Sequence, residues 1–219
     1  MNSDNELEGV IKYHLDHHPS ELSHAVDISQ INAWRSLLLR LKLIGQSVEK
    51  YNGLGYGNIS QRLLFGKPGF LISGTQTGHL SQLTPEHFAI VESASPKRNS
   101  IISSGPSQPS SEALTHASVY LHDNRANAVI HVHSPELWRN TQTLGLPHTC
   151  AEIAYGSVEM AEAVAELFAS GQLKPLPLFS MLGHEDGIVA FADSLPSAAT
   201  ILITQLAKAL AIEQTAFAG

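Results

Sequence analysis

The clearest hydrophobic pattern in the chain follows a polar opening stretch. Ile31, Trp34 and Leu38 recur at intervals of three and four residues, which places them on one stripe of a helix. This spacing predicts an amphipathic helix from about Ser29 to Lys50. The glycines that begin at Gly53 are expected to end it.

Short apolar runs rich in β-branched residues alternate with further helical patterns in the rest of the chain. Strands are predicted at 69–73, 88–92, 128–133, 176–182 and 187–192. Helices are predicted from Ser110 or Ser111 as cap to His122, from Ser134 onward, over 157–170 and over 196–214. Several strand pairs lack a helix between them, which favours a mixed or antiparallel sheet with helices on both faces.

Two stretches carry no clear pattern of this kind. Residues 1–26 are polar, and their histidines lie at irregular spacing, so we expect a loosely ordered arm before a single domain at 27–219. Residues 93–111 hold eight serines and three prolines. This composition predicts a loop, with room for a short strand at 101–102.

The composition argues against several classes of function. The chain has 219 residues, 13 basic and 20 acidic side chains and a net charge of −7, which suits neither nucleic acid nor an anionic membrane. No uninterrupted apolar run reaches the roughly 18 residues of a membrane span, and the N-terminus lacks a signal-peptide pattern. Cys150 is the only cysteine, so no intrachain disulfide can form and we expect a cytoplasmic protein.

Histidine is unusually frequent, with 12 residues, and the pair His131 and His133 is the strongest chemical signal. Residues two apart on a strand project from the same face, so both imidazoles could bind one divalent metal. The alternative is a pair of buried histidines bonded to the backbone. His184, in a turn between two predicted strands, is the best third ligand, with Glu185 and Asp186 as competing carboxylates.

Three polar segments could bind an anion or move a proton. Ser110-Ser111-Glu112 opens a predicted helix, where free N–H groups favour negative charge. Gly57-Asn58-Ile59-Ser60 and the segment 73–78 combine glycine with hydroxyl and amide donors. The simpler interpretation is an ordinary helix cap and two plain turns.

Taken in order, these motifs resemble the class II aldolase/adducin family, which includes fuculose-1-phosphate aldolases and ribulose-5-phosphate 4-epimerases. The resemblance spans about residues 31–214. Its motifs are Gly57-Asn58-Ile59-Ser60, Ser73-Gly74 to Thr77-Gly78, Leu83-Thr84-Pro85-Glu86, Ser110-Ser111-Glu112 with His116, Ala128 to Ser134, Tyr155-Gly156-Ser157 with 159–161, and Gly183-His184.

The resemblance implies an α/β fold, a three-layer αβα sandwich around a mixed, mainly antiparallel sheet. It implies a divalent metal, most often Zn²⁺, held by His131, His133 and His184, with Glu112 as the acid–base carboxylate. It also implies a ring-shaped homotetramer with active sites between subunits. The residues implied to bind phosphate are Asn58, Ser60, Thr77, Gly78, Ser110 and Ser111.

The function implied is that of a lyase. A divalent cation that binds adjacent hydroxyl and carbonyl oxygens would stabilise an enediolate while a carboxylate transfers the proton. We therefore expect a metal-dependent aldolase-type enzyme that cleaves or forms a C–C bond in a small, phosphorylated hydroxy-carbonyl sugar. A sugar-phosphate 4-epimerase or dehydratase would use the same site. A non-catalytic, adducin-like scaffold is the alternative from another class, although such domains tend to lose the metal histidines kept here.

Overall fold

One nine-stranded sheet dominates the computed structural model, which describes residues 9–24, 26–63 and 69–217. The strands in chain order are β1 His14–Pro19, β2 Gly45–Gln46, β3 Gly55–Tyr56, β4 Asn58–Arg62, β5 Phe70–Ser73, β6 Phe88–Ser95, β7 Ser100–Gly105, β8 Ala128–His133, β9 His148–Thr149, β10 Leu178–Met181 and β11 Gly187–Ala192. The α-helices are α1 Ser29–Arg40, α2 Ala113–His122, α3 Pro135–Arg139, α4 Val158–Ala169 and α5 Leu195–Phe217.

The large sheet is mixed and mainly antiparallel, as predicted. Its strands lie in the order β1-β7-β6-β5-β4-β8-β11-β10-β9, while β2 and β3 pair separately. The two edge pairs, β1 with β7 and β9 with β10, are parallel. The other neighbouring pairs are antiparallel. In this order β8 lies inside the sheet, between β4 and β11.

Helices cover both faces of the sheet, which confirms the three-layer αβα architecture. One apolar core lies between the sheet and helices α2 and α4, and the other lies between the sheet and helices α1, α3 and α5. Along β8, Val129 packs in the first core, whereas Ile130 and Val132 pack in the second. Because side chains alternate along a strand, His131 and His133 project to the side of α2 and α4.

Helix α1 ends about ten residues earlier than its apolar spacing predicted. The chain reverses at Lys42, whose φ of 59° is left-handed, and the amide of Leu43 donates to the carbonyl of Leu38. Leu43 and Ile44 remain buried beyond the turn. The apolar periodicity therefore continues through a helix end because the next segment packs against the same core.

Two segments assigned to turns and loops are strands. In the motif Gly57-Asn58-Ile59-Ser60, only Gly57 adopts a turn conformation, with a φ of 72°. Residues 58–62 form the strand β4. Strand β6 extends to Ser95, and β7 covers Ser100–Gly105, so much of the predicted loop 93–111 is paired. Serine has a low intrinsic strand preference, but cross-strand pairing outweighs such preferences.

The expectation of a loosely ordered arm is wrong for residues 14–19. They form the edge strand β1 against β7, and the Nδ1 atom of His17 lies 2.9 Å from Oγ of Ser103. An edge strand has one solvent-exposed side and can therefore consist of polar residues that carry no apolar alternation. The division between an arm at 1–26 and a domain at 27–219 stays a prediction.

Helix α5 is long and apolar enough to cross a membrane by length and composition alone. The stretch Leu195–Thr215 has a mean hydropathy of 1.5, with a third of its best window buried. Core helices satisfy the same criteria, and Ala198, Ala199 and Leu202 of α5 belong to the second apolar core. The helix is therefore weak evidence for a membrane span.

Candidate metal centre

His131 and His133 stand side by side at the C-terminal half of β8, and both are buried. His131 lies opposite Asn58 of β4 on one side and Val189 of β11 on the other, and His133 lies opposite Gly187. Their ring centroids are 5.1 Å apart. Pairing with β4 and β11 thus fixes the backbone of His131, and pairing with β11 fixes that of His133.

His184 comes to the same place from the turn between β10 and β11. The turn is closed by hydrogen bonds from the amide of His184 to the carbonyl of Met181 and from the amide of Gly187 to the carbonyl of His184. One ligand atom from each of His131, His133 and His184 lies within 4.8 Å of the others. The sequence prediction of a three-histidine cluster agrees with this geometry.

The hydrogen bonding of His131 suits a metal ligand. Its Nδ1 atom lies 3.2 Å from the carbonyl oxygen of Ile188. A carbonyl can only accept, so Nδ1 carries the proton in this contact and Nε2 keeps its lone pair. Histidine ligands are commonly oriented by such a backbone contact on the second ring nitrogen.

Glu112 lies beside this cluster, with 1% of its surface exposed. Its Oε2 accepts a hydrogen bond of 2.8 Å from the Thr115 hydroxyl, and its Oε1 is 3.4 Å from Nδ1 of His184. Burial acts to raise the pKa of Glu112, but the contact with His184 and the charge of His131 outweigh it and lower the pKa to about 2. The group is therefore a carboxylate near neutral pH.

The start of α2 differs from the predicted cap. Glu112 itself occupies the N-cap position, and no side-chain hydrogen bond caps the helix. Ser110 and Ser111 precede it as buried residues. Their hydroxyls are thus not used as the predicted helix cap.

Three tyrosines surround the histidines. Tyr155 stands in one of the motifs of the resemblance, but the sequence assigned none of the three to the site. Tyr51 contacts His133 edge to face at 4.6 Å between centroids, and its hydroxyl donates a 2.6 Å hydrogen bond to Asp186. Tyr155 packs on the ring of His184 at 4.6 Å, and Tyr56 also lies against His133. No spacing or motif indicates these contacts, because they join segments far apart in the chain.

The remaining candidate ligands lie outside the cluster. Asp186 is bonded to Tyr51, and Glu185 is exposed. His116 is buried, with Nδ1 2.7 Å from the hydroxyl of Ser60. Within residues 9–24, 26–63 and 69–217, the three histidines are the one group of this kind that could hold a metal ion.

These residues fit a divalent metal. Three buried imidazoles leave a fourth position open, which is the arrangement of catalytic zinc sites. Neutral imidazoles are the form that binds a metal, and burial, followed by the charges of His184 and His131, holds the pKa of His133 well below its usual range. The donor set therefore suits zinc or a similar ion, without deciding between them.

A small pocket beside the histidines collects most of the residues predicted to bind phosphate; we call it the anion cradle. Five of the six predicted residues line it, together with Gly9, Gly55, Gly57, Gly74, Thr75 and Gln76. The five are Asn58, Thr77, Gly78, Ser110 and Ser111. Because Asn58 pairs directly with His131 across two antiparallel strands, the two Cα atoms lie only about 5 Å apart.

Ser60, the sixth predicted residue, is not part of the lining. Its hydroxyl lies 2.7 Å from Nδ1 of His116 and 2.8 Å from the hydroxyl of Tyr120. Ser60 therefore belongs to a buried polar network beneath the site. The fully buried side chains of this network connect β4 to α2.

Arg35 of α1, which the sequence did not suggest as a site residue, supports the cradle from the opposite face of the sheet. It is 1% exposed, and its guanidinium donates to the carbonyls of Thr77 and Leu80 at 2.7 and 2.8 Å. Gly78 is equally constrained, because a Cβ there would come within 2.1 Å of the Gly45 carbonyl oxygen. The shape of the turn from Thr77 to Leu80 thus depends on Arg35 and on Gly78.

The fold and the sequence together identify the class of protein. The family model described as Class II Aldolase and Adducin N-terminal domain matches residues 47–212. The chain belongs to this family. A comparison with curated proteins gives no match.

Solved structures share the fold at low sequence identity. L-Fuculose-1-phosphate aldolase from Thermus thermophilus is 20% identical, with a TM-score of 0.63, and the alignment covers 85% of this chain and 92% of that one. Sugar-phosphate aldolase from Thermotoga maritima is 16% identical, with a TM-score of 0.64 and coverage of 88% and 95%. YgbL from Klebsiella pneumoniae is 22% identical, with a TM-score of 0.62 and coverage of 84% and 87%.

Proposed function

We propose that the protein is a metal-dependent, aldolase-type lyase that acts on a small, phosphorylated hydroxy-carbonyl sugar. One observation carries the proposal: the buried carboxylate of Glu112 lies against His184 of the three-histidine cluster. A lone histidine cluster would suit a structural metal. The added carboxylate gives the site a group that can accept and return a proton.

Zn²⁺ is the proposed metal, held by His131, His133 and His184. When bound, the ion supplies a positive charge that polarises a carbonyl group and stabilises negative charge on its oxygen. The strand β8 and the turn before β11 keep the three imidazoles in place. Tyr155 and Tyr51 cover two of the rings and thereby limit access of water to them.

Glu112 is the proposed proton-transfer residue. Its carboxylate is ionised near neutral pH and can accept a proton from the carbon or hydroxyl group of a substrate beside the histidines. Thr115 holds Oε2 in place, and Oε1 is the atom nearer to His184. We therefore assign proton transfer to Oε1.

The anion cradle is proposed to bind the phosphate. Asn58, Thr77, Gly78, Ser110 and Ser111 offer amide, hydroxyl and backbone donors in one small pocket. With a net charge of −7, the protein as a whole repels anions, so the attraction has to come from these local donors and from the metal. The short distance between cradle and histidines favours a small substrate.

We extend the proposal to the assembly and to the cellular compartment. A homotetramer in the cytoplasm is what family membership and the single cysteine favour. Active sites between subunits would then be completed by neighbouring copies of this chain. The proposed oligomeric state and compartment can each be wrong while the proposed reaction is right.

Metal analysis and a substrate screen test the function. We expect about one zinc ion per chain and, among phosphorylated aldols and ketoses, at least one compound split into two smaller carbonyl products. A product of unchanged mass would instead indicate an epimerase, and loss of water would indicate a dehydratase. Metal-replete protein that turns over none of these compounds would contradict the enzyme and favour a scaffold.

A further inference from the structure

The N-terminal segment Gly9–Tyr13, which we call the strap, crosses the anion cradle. Gly9, its first residue, is part of the cradle lining. The Gly9 carbonyl accepts a hydrogen bond of 3.3 Å from the side-chain amide of Gln76 and one of 3.5 Å from the hydroxyl of Thr75. A Cβ at Gly9 would lie 2.1 Å from that amide. The backbone of the strap therefore contacts the cradle closely.

The strap is fixed next to the candidate metal centre as well. The hydroxyl of Tyr155 accepts a hydrogen bond of 3.3 Å from the Val10 amide and donates one of 3.4 Å to the Val10 carbonyl. The ammonium group of Lys12 lies 3.7 Å above the Tyr155 ring. Because the same ring packs on His184, the strap lies over a side chain that contacts a candidate metal ligand.

At its end the strap enters the core. Tyr13 is buried, and its hydroxyl donates a 2.8 Å hydrogen bond to the carbonyl of Ser110. The Lys12 carbonyl accepts a bond from the side chain of Asn99, and the His14 amide donates to the Asn99 carbonyl. Tyr13 thus forms the fixed end of the strap, whereas Gly9 and Val10 are held by a few long hydrogen bonds.

The cradle encloses little free space in this arrangement. Its cavity volume is about 10 Å³, which is room for about one water molecule, and the Gly9 carbonyl takes up the side-chain donors of Thr75 and Gln76. Most of the wall is formed by strand β4 and by the turns around Gly78 and Ser111, which are held by the sheet, by Arg35 and by α2. Gly9 and the exposed side chain of Gln76 are the parts of the wall with the weakest attachment.

We propose that the strap is a gate, and that an anion enters the cradle only by displacing the Gly9 carbonyl from Thr75 and Gln76. The inference rests on the proposed function, because it takes the cradle to be the phosphate site. An oxyanion can replace the acceptor that leaves, since it offers several oxygens to the same donors. A neutral hydroxyl terminus replaces it less well, so the gate selects for an anionic group.

Trypsin cleavage after Lys12 requires the chain on both sides of the Lys12–Tyr13 bond to leave Asn99 and the core. Release of Gly9 and Val10 removes part of what holds it there, so the rate of this cut reports on the gate. We would follow the loss of the first 12 residues by mass spectrometry on the full chain, with inorganic phosphate against chloride at equal ionic strength. Saturating phosphate should raise the rate of this cut about five-fold or more, since cleavage follows the population of the open form. Cleavage after Arg125, in an exposed turn, is the reference.

Tyr155→Phe is the variant that tests the contacts. It removes the hydroxyl that binds Val10 and keeps the ring on His184, so the strap should open about five-fold more often without phosphate, as loss of one net hydrogen bond implies. Tyr120→Phe is the matched control, because it removes a buried tyrosine hydroxyl that is bonded to Ser60 rather than to the strap. It should leave cleavage after Lys12 unchanged.

Calorimetry with inorganic phosphate separates the gate from the function. Phosphate that binds while leaving cleavage after Lys12 unchanged, or slowing it, would overturn the gate and leave the proposed function standing. Failure of both wild type and Tyr155→Phe to bind phosphate would also overturn it. Faster cleavage with phosphate in a protein that turns over no substrate would support the gate and count against the lyase.

Discussion

Oε1 of Glu112 lies 3.4 Å from Nδ1 of His184, and both side chains are almost fully buried. The contact joins the first residue before α2 to a turn more than 70 positions later in the chain. It gives Glu112 two roles that experiment can separate. The carboxylate can exchange a proton with a substrate, or it can orient His184 as a ligand.

Glu112→Gln separates these two roles. The amide keeps the size of the side chain but removes the basic oxygen, so turnover should fall by about 10²- to 10⁴-fold while metal content stays the same. Paired activity and elemental analysis of the variant give the answer. Loss of the metal together with activity would show that Glu112 acts through His184, and full activity would exclude it as the proton-transfer group.

His131→Ala should remove most of the bound metal. The substitution deletes one of the three candidate ligands, and the two that remain are fewer than the three protein ligands of a catalytic zinc site. His122→Ala is the control, because this histidine lies near the end of α2 and outside the cluster. Elemental analysis after dialysis should give about one zinc ion per chain for the control, and equal metal in the two variants would contradict the three-histidine assignment.

Ser111→Ala tests the anion cradle. Removal of a hydroxyl that donates to a charged phosphate should raise KM by about 10- to 100-fold for a phosphorylated substrate. The KM for the same compound without its phosphate should change little. Ser170→Ala, at the C-terminal end of α4, is the matched control, and an equal effect of the two substitutions would place the phosphate elsewhere.

His116 should make the metal-free protein sensitive to acid. Burial, and then the charge of His131, lower the pKa of His116 to about 3, although Glu112 acts in the opposite direction. The unfolded chain, with an ordinary histidine pKa of about 6.5, binds a proton that the folded protein excludes. The free energy of unfolding therefore falls as the pH drops from about 6.5 towards 3, on the order of 3 kcal/mol between pH 7 and pH 4 from this group.

Urea unfolding at several pH values measures this effect. His116→Asn keeps a polar atom near Ser60 but cannot be protonated in this range. Its free energy of unfolding should depend less on pH than that of the wild type, even if its stability at pH 7 is lower. Parallel pH curves for the two proteins would show that His116 is already protonated in the folded state or is unaffected by its surroundings.

The oligomeric state is a separate prediction. A homotetramer of the 23.6 kDa chain should give a mass of about four chains by light scattering at micromolar concentration. The expectation comes from membership of the family. A stable monomer under these conditions would contradict it and would require that one chain contains the complete site.

The sequence predicted the layers and the histidine pair of β8 because both follow from local patterns, and the family resemblance added His184. Alternation along 128–133 places His131 and His133 on one face whatever the rest of the chain does. The end of α1 and the full extent of the strand at 100–105, expected only at 101–102, were missed because pairing and packing with distant segments decide them. The contacts of Tyr51 and Tyr155 were missed for the same reason, since only the folded chain brings these rings to His133 and His184.

Arg35 connects the rear layer of the molecule to the proposed phosphate site. Its guanidinium passes from α1 to the carbonyls that precede and follow the Gly78 turn, and a lysine could not reach both with one ammonium group. Sequence drift in α1, far from any ligand, would therefore change the shape of the cradle. The selectivity of the proposed site can therefore change through substitutions in α1, at the back of the sheet, while every residue that lines the cradle stays the same.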